Sequence, residues 1–234
     1  MSKTKYLTAV FVMAVAIFGA LHYLGSYLLA RPTVEEVETS VAKSVYRITN
    51  GSGGYGSAFV VVLTDKKNIF ITNAHVCESS INNFMWLGAI PLRIMKIYDQ
   101  HDLCALESPV NPNYPLTLAE DYYTNEHIYA VGFPLIPYLT VREGTFKGLD
   151  QLYMLAPNTP KNLCVGRLKW NGACSFSGVV QTTTVTSDFG GSGSPILNVD
   201  LEVVGVVMAI QGASASAMGV PLGTLRLFLE GLNK

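Results

Sequence analysis

Three residues have side chains that together could make and break an acyl bond: His75, Asp102 and Ser192. A serine hydroxyl is a weak nucleophile and needs a base to remove its proton; the base in turn needs a partner that fixes its tautomer. Each is unremarkable alone. His75 ends Ile71-Thr-Asn-Ala-His75-Val-Cys77, a strand end where a histidine is usually structural. Asp102 heads the apolar run Leu103–Leu106, where an aspartate is usually a cap. Ser192 lies in Phe189-Gly-Gly-Ser192-Gly-Ser-Pro195, a bend that needs backbone conformations open to glycine. What carries weight is that a nucleophile, a base and an orienter come from three separate parts of one chain.

The elements that must position them read as short strands. Apolar or alternating runs occur at Val45–Ile48, Ser57–Leu63, Asn68–Thr72, Pro91–Tyr98, Leu103–Glu107, His127–Gly132, Gly178–Thr184, Ile196–Asn198 and Val203–Ile210. Asp65-Lys-Lys67, Asn158-Thr-Pro160 and Asn171-Gly172 are turn sequences between them. Many short strands indicate an all-β barrel or sandwich. Leu222–Leu232 has helical periodicity and closes the chain. The glycine-rich stretch Gly51–Gly56 precedes a strand, Ala58–Leu63, rather than the helix a phosphate loop requires, so it reads as a hairpin turn.

Composition narrows the function classes. The 234-residue chain is 49% hydrophobic and 14% charged, with a net charge of −1. That balance lacks the basic surplus that holds a phosphate backbone and excludes a nucleic-acid partner. No Cys-x-x-Cys or His-x-x-x-His pair offers a zinc site, and neither metal nor cofactor is expected. The four cysteines, Cys77, Cys104, Cys164 and Cys174, leave two readings open, two disulfides or four buried thiols.

Much of the apolar bias sits in Tyr6–Ala30, long enough to cross a ~30 Å hydrocarbon core as a helix. Lys3 and Lys5 precede it and Glu35, Glu36 and Glu38 follow, an asymmetry that places the N-terminus in the cytoplasm and the rest across the membrane. Residues 1–31 read as a signal anchor; a removed signal peptide is the competing reading. Pro32 ends the helix, and 32–44 forms a linker or short helix before a domain over 45–234.

The triad residues occur in the order His, Asp, Ser, the order of chymotrypsin-like enzymes. Gly56-Ser-Ala-Phe-Val, Ile71-Thr-Asn-Ala-His75-Val, His101-Asp102-Leu-Cys-Ala-Leu106, Tyr129-Ala-Val-Gly132-Phe-Pro134 and Gly190-Gly-Ser192-Gly-Ser-Pro195 together resemble the HtrA/Deg-type trypsin-like serine peptidases. Val203–Val207 and Met218–Leu222 extend the match, collinear from about Val45 to Leu229 and without the PDZ domain that often follows. The Ser-Gly-Ser-Pro ending is also similar to the glutamyl endopeptidase branch.

The resemblance implies two six-stranded antiparallel β-barrels, over about 45–118 and 119–222, with a catalytic cleft between them. It implies a peptidase acting on polypeptides, His75 as base, Asp102 as orienter, Ser192 as nucleophile, and the N–H groups of Gly190 and Ser192 as oxyanion donors. Met208, Ala209 and Ile210 would pair with substrate backbone. Thr186, Ser187, Met208 and Gly219 would line an uncharged acyl-side pocket for small or medium apolar residues. The alternative is a silent binding module of the same fold.

Two departures from the pattern matter. Gly191 stands where the digestive branch has an aspartate that pairs with a newly cut N-terminus, so activation by N-terminal processing is not expected. Met208 stands where relatives often offer a hydroxyl to the aspartate. Cys77 and Cys104 each follow a triad residue by two positions, and pairing there would brace His75 against Asp102; Cys164 and Cys174 are the other candidate pair. Oligomeric state is not readable from the sequence.

Overall fold

The computed structural model describes residues 12–21, 25, 31–51, 53–63, 67–78, 80, 82–156, 168–170, 173–211 and 215–232, with side chains left out at 152–178 and 211. The chain divides into a unit over Met1–Thr33 and a second over Val34–Lys234. In the first, residues 12–21 are helical. Among the described residues no helix is long and apolar enough to cross a membrane. Most of the remaining Tyr6–Ala30 segment lies outside them.

The second unit opens on helix α1, Val34–Val41, within the stretch read as linker or short helix. Its first turn carries Glu35 and Glu36, favourable beside the positive helix N-terminus. Val37 and Val41, one turn apart, are buried and join the main apolar core.

Strands β1 Val45–Thr49, β2 Tyr55–Val62, β3 Asn68–Thr72, β4 Phe84–Leu87, β5 Ile90–Tyr98 and β6 Leu103–Glu107 form a closed barrel in the order β1-β2-β3-β6-β5-β4. A short helix α2, Ala74–Glu78, follows β3. β1 and β2 pair antiparallel as a hairpin, and the Asn50 N–H donates to Gly54 O at 3.0 Å, in keeping with the strand that follows the glycine-rich stretch.

Alternation in β2, β3 and β6 builds two cores at once. Ala58, Val60, Phe70, Cys104 and Leu106 point into the barrel against Ile48, Met85 and Leu92. Their neighbours Phe59, Val61, Ile69, Ile71, Leu103 and Ala105 point outward into a core shared with Tyr129, Val131, Val206 and Met208 of the second barrel. Side chains on a strand alternate between faces. Burial of both faces therefore makes these strands continuous apolar runs.

The second barrel comprises β7 His127–Gly132, β8 Thr140–Ala156, β9 Leu168–Trp170, β10 Ala173–Thr186, β11 Pro195–Leu197, β12 Val203–Gln211 and β13 Ser216–Pro221. The sheet runs β13-β12-β11-β7-β8-β10-β9; pairing of β10 back to β13 closes six strands, with β9 outside on β10. Ile128, Ala130, Phe146, Val185, Ile196, Val204 and Val207 fill its interior. Helix α3, Leu222–Glu230, ends the unit and buries Leu225 and Phe228 in the shared core.

The sequence reading has no strand between Gly132 and Gly178, yet β8 spans most of the first half of that interval. Gly144 and Gly148 break its alternation. Gly148 has φ +146°, beside a register shift between Thr182 and Thr183 of the partner strand. A bulge of this kind changes which residues share a face and hides the period of two. The turns expected at Asn158–Pro160 and Asn171-Gly172 lie outside the described residues.

Candidate active site

His75 is the second residue of α2, just after β3, and Asp102 sits between a 3₁₀ turn, Asp99–His101, and β6. Strands β3 and β6 are neighbours, with Thr72 opposite Cys104, so pairing alone brings the two side chains together. His75 Nδ1 lies 3.0 and 2.9 Å from the two carboxylate oxygens of Asp102. The backbone N–H of His75 also donates to Oδ1, at 3.0 Å.

Asp102 is left-handed, φ 53° and ψ 46°, a conformation that aspartate tolerates better than most residues. The Asn73 amide donates to its main-chain oxygen at 2.9 Å and holds that geometry. Among the described residues, every donor to the carboxylate belongs to His75, consistent with Met208 standing where a hydroxyl would be. His101 packs edge-on against Tyr98 at 4.8 Å, and burial lowers its pKa below the ordinary histidine value. It therefore adds little positive charge beside the triad at neutral pH.

Cys77 and Cys104 form a disulfide with Cα atoms 6.5 Å apart. It ties α2, which carries His75, to the strand headed by Asp102. The open choice between thiols and disulfides is resolved for this pair; Cys164 lies outside the described residues.

Ser192 follows a tight turn, Asp188–Gly191, closed by the Gly191 N–H donating to Asp188 O at 2.9 Å. Gly190 takes φ +88°, where the third residue of a type II turn favours glycine. A Cβ there would stand 2.2 Å from the Tyr55 ring and 2.6 Å from Phe133 O.

The carbonyls along this loop are each held. Leu135 N–H donates to Phe189 O (2.7 Å), the Ser57 hydroxyl to Gly190 O (2.9 Å), Ser194 N–H to Gly191 O (3.0 Å) and Ser57 N–H to Ser192 O (2.8 Å). The N–H groups of Gly191 and Gly193 are also bound, to Asp188 O and Val207 O. Among the described residues, the N–H groups of Gly190 and Ser192 have no acceptor. A trans peptide points its N–H away from its carbonyl, so holding Phe189 O and Gly191 O aims these two unpaired donors.

A cleft of about 350 Å³ is lined by His75 and Ser192 together with Ser187, Met208, Ala209 and Ile210, all singled out from sequence. Thr186 and Gly219 are not among its walls. Thr186 is exposed, and Gly219 is buried in the second barrel, where a Cβ would meet Ile196 and Val206.

Sequence reasoning missed Asp188, Phe189 and Val207, which do line it. Asp188 changes the expectation of an uncharged pocket: its carboxylate is there, but Arg142 of β8 donates to it at 2.9 Å. Only a fold that brings β8 beside the serine turn makes that pair, and no local signal announces it. Among the described residues no cluster of side chains could hold a metal ion.

Comparisons with known proteins bear on the family and the fold. The model of the trypsin-like peptidase domain matches residues 56–206, well over half the chain. No curated protein matches significantly. Among solved structures, the Rv3671c protease of M. tuberculosis in its active form is similar at TM-score 0.65 and 21% identity, covering 84% of this chain and 83% of that one. Its inactive form is similar at TM-score 0.63 and 20% identity, covering 85% and 93%. At that identity the likeness concerns the fold, two barrels with a cleft between them. The family follows from the domain match: this chain belongs to the trypsin-like peptidases and is a serine endopeptidase.

Proposed function

We propose that this chain hydrolyses peptide bonds through an acyl-enzyme on Ser192. The observation that carries the reading is the pairing of His75 with Asp102 across a cleft from a serine flanked by two unpaired N–H donors. Ser192 Oγ attacks the scissile carbonyl while His75 takes its proton. The carbonyl oxygen gains negative charge and is met by the N–H groups of Gly190 and Ser192; one such donor lowers the barrier by roughly 3–4 kcal/mol. His75 then gives its proton to the leaving amine. Water, deprotonated by His75, then attacks the acyl carbonyl, and His75 gives that proton to Ser192 Oγ as the acid leaves. Asp102 keeps Nδ1 protonated and stabilises the imidazolium without itself taking the proton.

The backbone of Met208–Ile210 on β12 would pair with the acyl side of the substrate. Neutralisation of Asp188 by Arg142 supports a preference for small or medium apolar residues before the scissile bond. The test is fluorophosphonate labelling of residues 31–234, with Ser192→Ala and His75→Ala alongside and a peptide library offered to the wild type. Labelling confined to wild type and cleavage after small apolar residues are expected. A folded wild type that does not label would defeat the reading, and cleavage mainly after Lys or Arg would defeat the pocket assignment.

The apolar run Tyr6–Ala30 supports a further part of the proposal: a single-pass anchor with the peptidase domain on the extracytoplasmic side. The full chain should stay with membranes through alkaline carbonate washing; release into the supernatant would count against an uncleaved anchor.

A further inference from the structure

We propose that Ser57, on β2 of the first barrel, is a positioning residue that keeps the oxyanion donors aimed, an inference that rests on the peptidase reading above. Ser57 is fully buried. Three of its hydrogen bonds run to the other barrel, far away in sequence. Its N–H donates to Ser192 O at 2.8 Å, its hydroxyl donates to Gly190 O at 2.9 Å, and its Oγ accepts the Phe133 N–H at 3.0 Å. Its own carbonyl accepts from Thr72 Oγ1 at 2.7 Å, at the end of the strand that leads to His75. One residue thus links the base-bearing strand, the nucleophile loop and the segment after β7.

The hydroxyl sits at the junction that decides where the Gly190 N–H points. Peptide 189–190 is oriented by the Leu135 N–H on Phe189 O. Leu135 delivers that N–H from a left-handed conformation, φ 58°, two residues after Phe133. The Ser57 Oγ holds both sides of this arrangement, Phe133 on one and Gly190 on the other. Gly190 and Gly191 are adjacent glycines, and a glycine pair gives the peptide between them little steric resistance to rotation.

Gly132 shows how tightly the hydroxyl is seated: a Cβ there would lie 2.6 Å from Ser57 Oγ. In the absence of this hydroxyl, Phe133 N–H and Gly190 O lose a shared partner, and the loop that fixes the oxyanion peptide separates from the turn that contains it.

The experiment is the fluorophosphonate inactivation constant, resolved into kinact and KI, for wild type, Ser57→Ala and Thr183→Val, each beside its Tm. Thr183 is the control: a buried hydroxyl in the second barrel that donates to Ala217 O at 2.8 Å and accepts the Val185 N–H at 3.2 Å, neither of them in the Asp188–Gly191 turn. Ser57→Ala is expected to lower kinact by about ten- to a hundredfold, as misplacement of a preorganised donor does, with KI nearly unchanged. Thr183→Val should lower Tm while kinact stays within twofold. A Ser57→Ala enzyme that labels at the wild-type rate, or a Thr183→Val enzyme slowed equally, overturns the assignment and leaves the peptidase reading standing. A wild type that does not label overturns both.

Discussion

Asp102→Asn is expected to lower kcat by roughly four orders of magnitude while the folded domain keeps its Tm within a few degrees. The argument rests on the two ends of the carboxylate. Oδ1 accepts both the His75 backbone N–H and Nδ1, while Oδ2 reaches Nδ1 alone. An asparagine that preserves the backbone bond must place its oxygen at Oδ1 and its NH₂ at Oδ2. The imidazole then meets a donor at Nδ1, takes the opposite tautomer, and carries its proton on Nε2, where it cannot serve as a base. The backbone gives no reason for the variant to unfold, because asparagine tolerates the left-handed conformation of residue 102. Kinetics on the best library peptide, with calorimetry beside them, check both halves. Activity within tenfold of wild type would remove Asp102 from the orienting role.

The residues proposed to do the chemistry were legible because chemistry restricts their types. His75, Asp102 and Ser192 are types that can serve as base, orienter and nucleophile, and their order and flanking motifs resemble the HtrA/Deg-type peptidases. His75 and Asp102 then meet because β3 and β6 are neighbours, a pairing that only the folded barrel shows. The supporting residues were not legible. Ser57 acts on Gly190, Leu135 on Phe189 and Arg142 on Asp188, each pair far apart along the chain. A serine in a strand or a leucine after a proline carries no local sign of such work.

The surroundings of Gly219 were equally hidden. Family position puts it near the pocket, and the fold buries it in β13, where a Cβ would meet Ile196 and Val206 O. β8 escaped because glycines break the alternation that reveals a strand, and the bulge they permit is a tertiary decision.

Gly193→Ala is expected to be the most damaging small substitution outside the triad, costing more than about 4 kcal/mol of stability, beyond the ordinary range for point changes. Two effects combine there. Gly193 takes φ +85°, and a side chain in that region costs roughly 1–2 kcal/mol. Its Cβ would also stand 2.0 Å from Ser57 O and 2.3 Å from Thr72 Oγ1. Ser57 O is main chain of a barrel strand, so the clash cannot be relieved by a rotamer change; the nucleophile loop must back away from the first barrel. That movement breaks the Ser57 N–H bond to Ser192 O and separates the serine from His75. For a domain of this size the loss corresponds to a Tm drop of roughly 8–16 °C.

Gly148→Ala separates the two causes. Gly148 has φ +146°, but a Cβ there meets nothing within 4 Å, so that variant reports backbone strain alone. A Gly193→Ala domain no less stable than Gly148→Ala would mean that the two barrels are not closely packed at the nucleophile loop. The larger loss, accompanied by failure to react with fluorophosphonate, would mean that close approach of two backbones is what holds Ser192 in place.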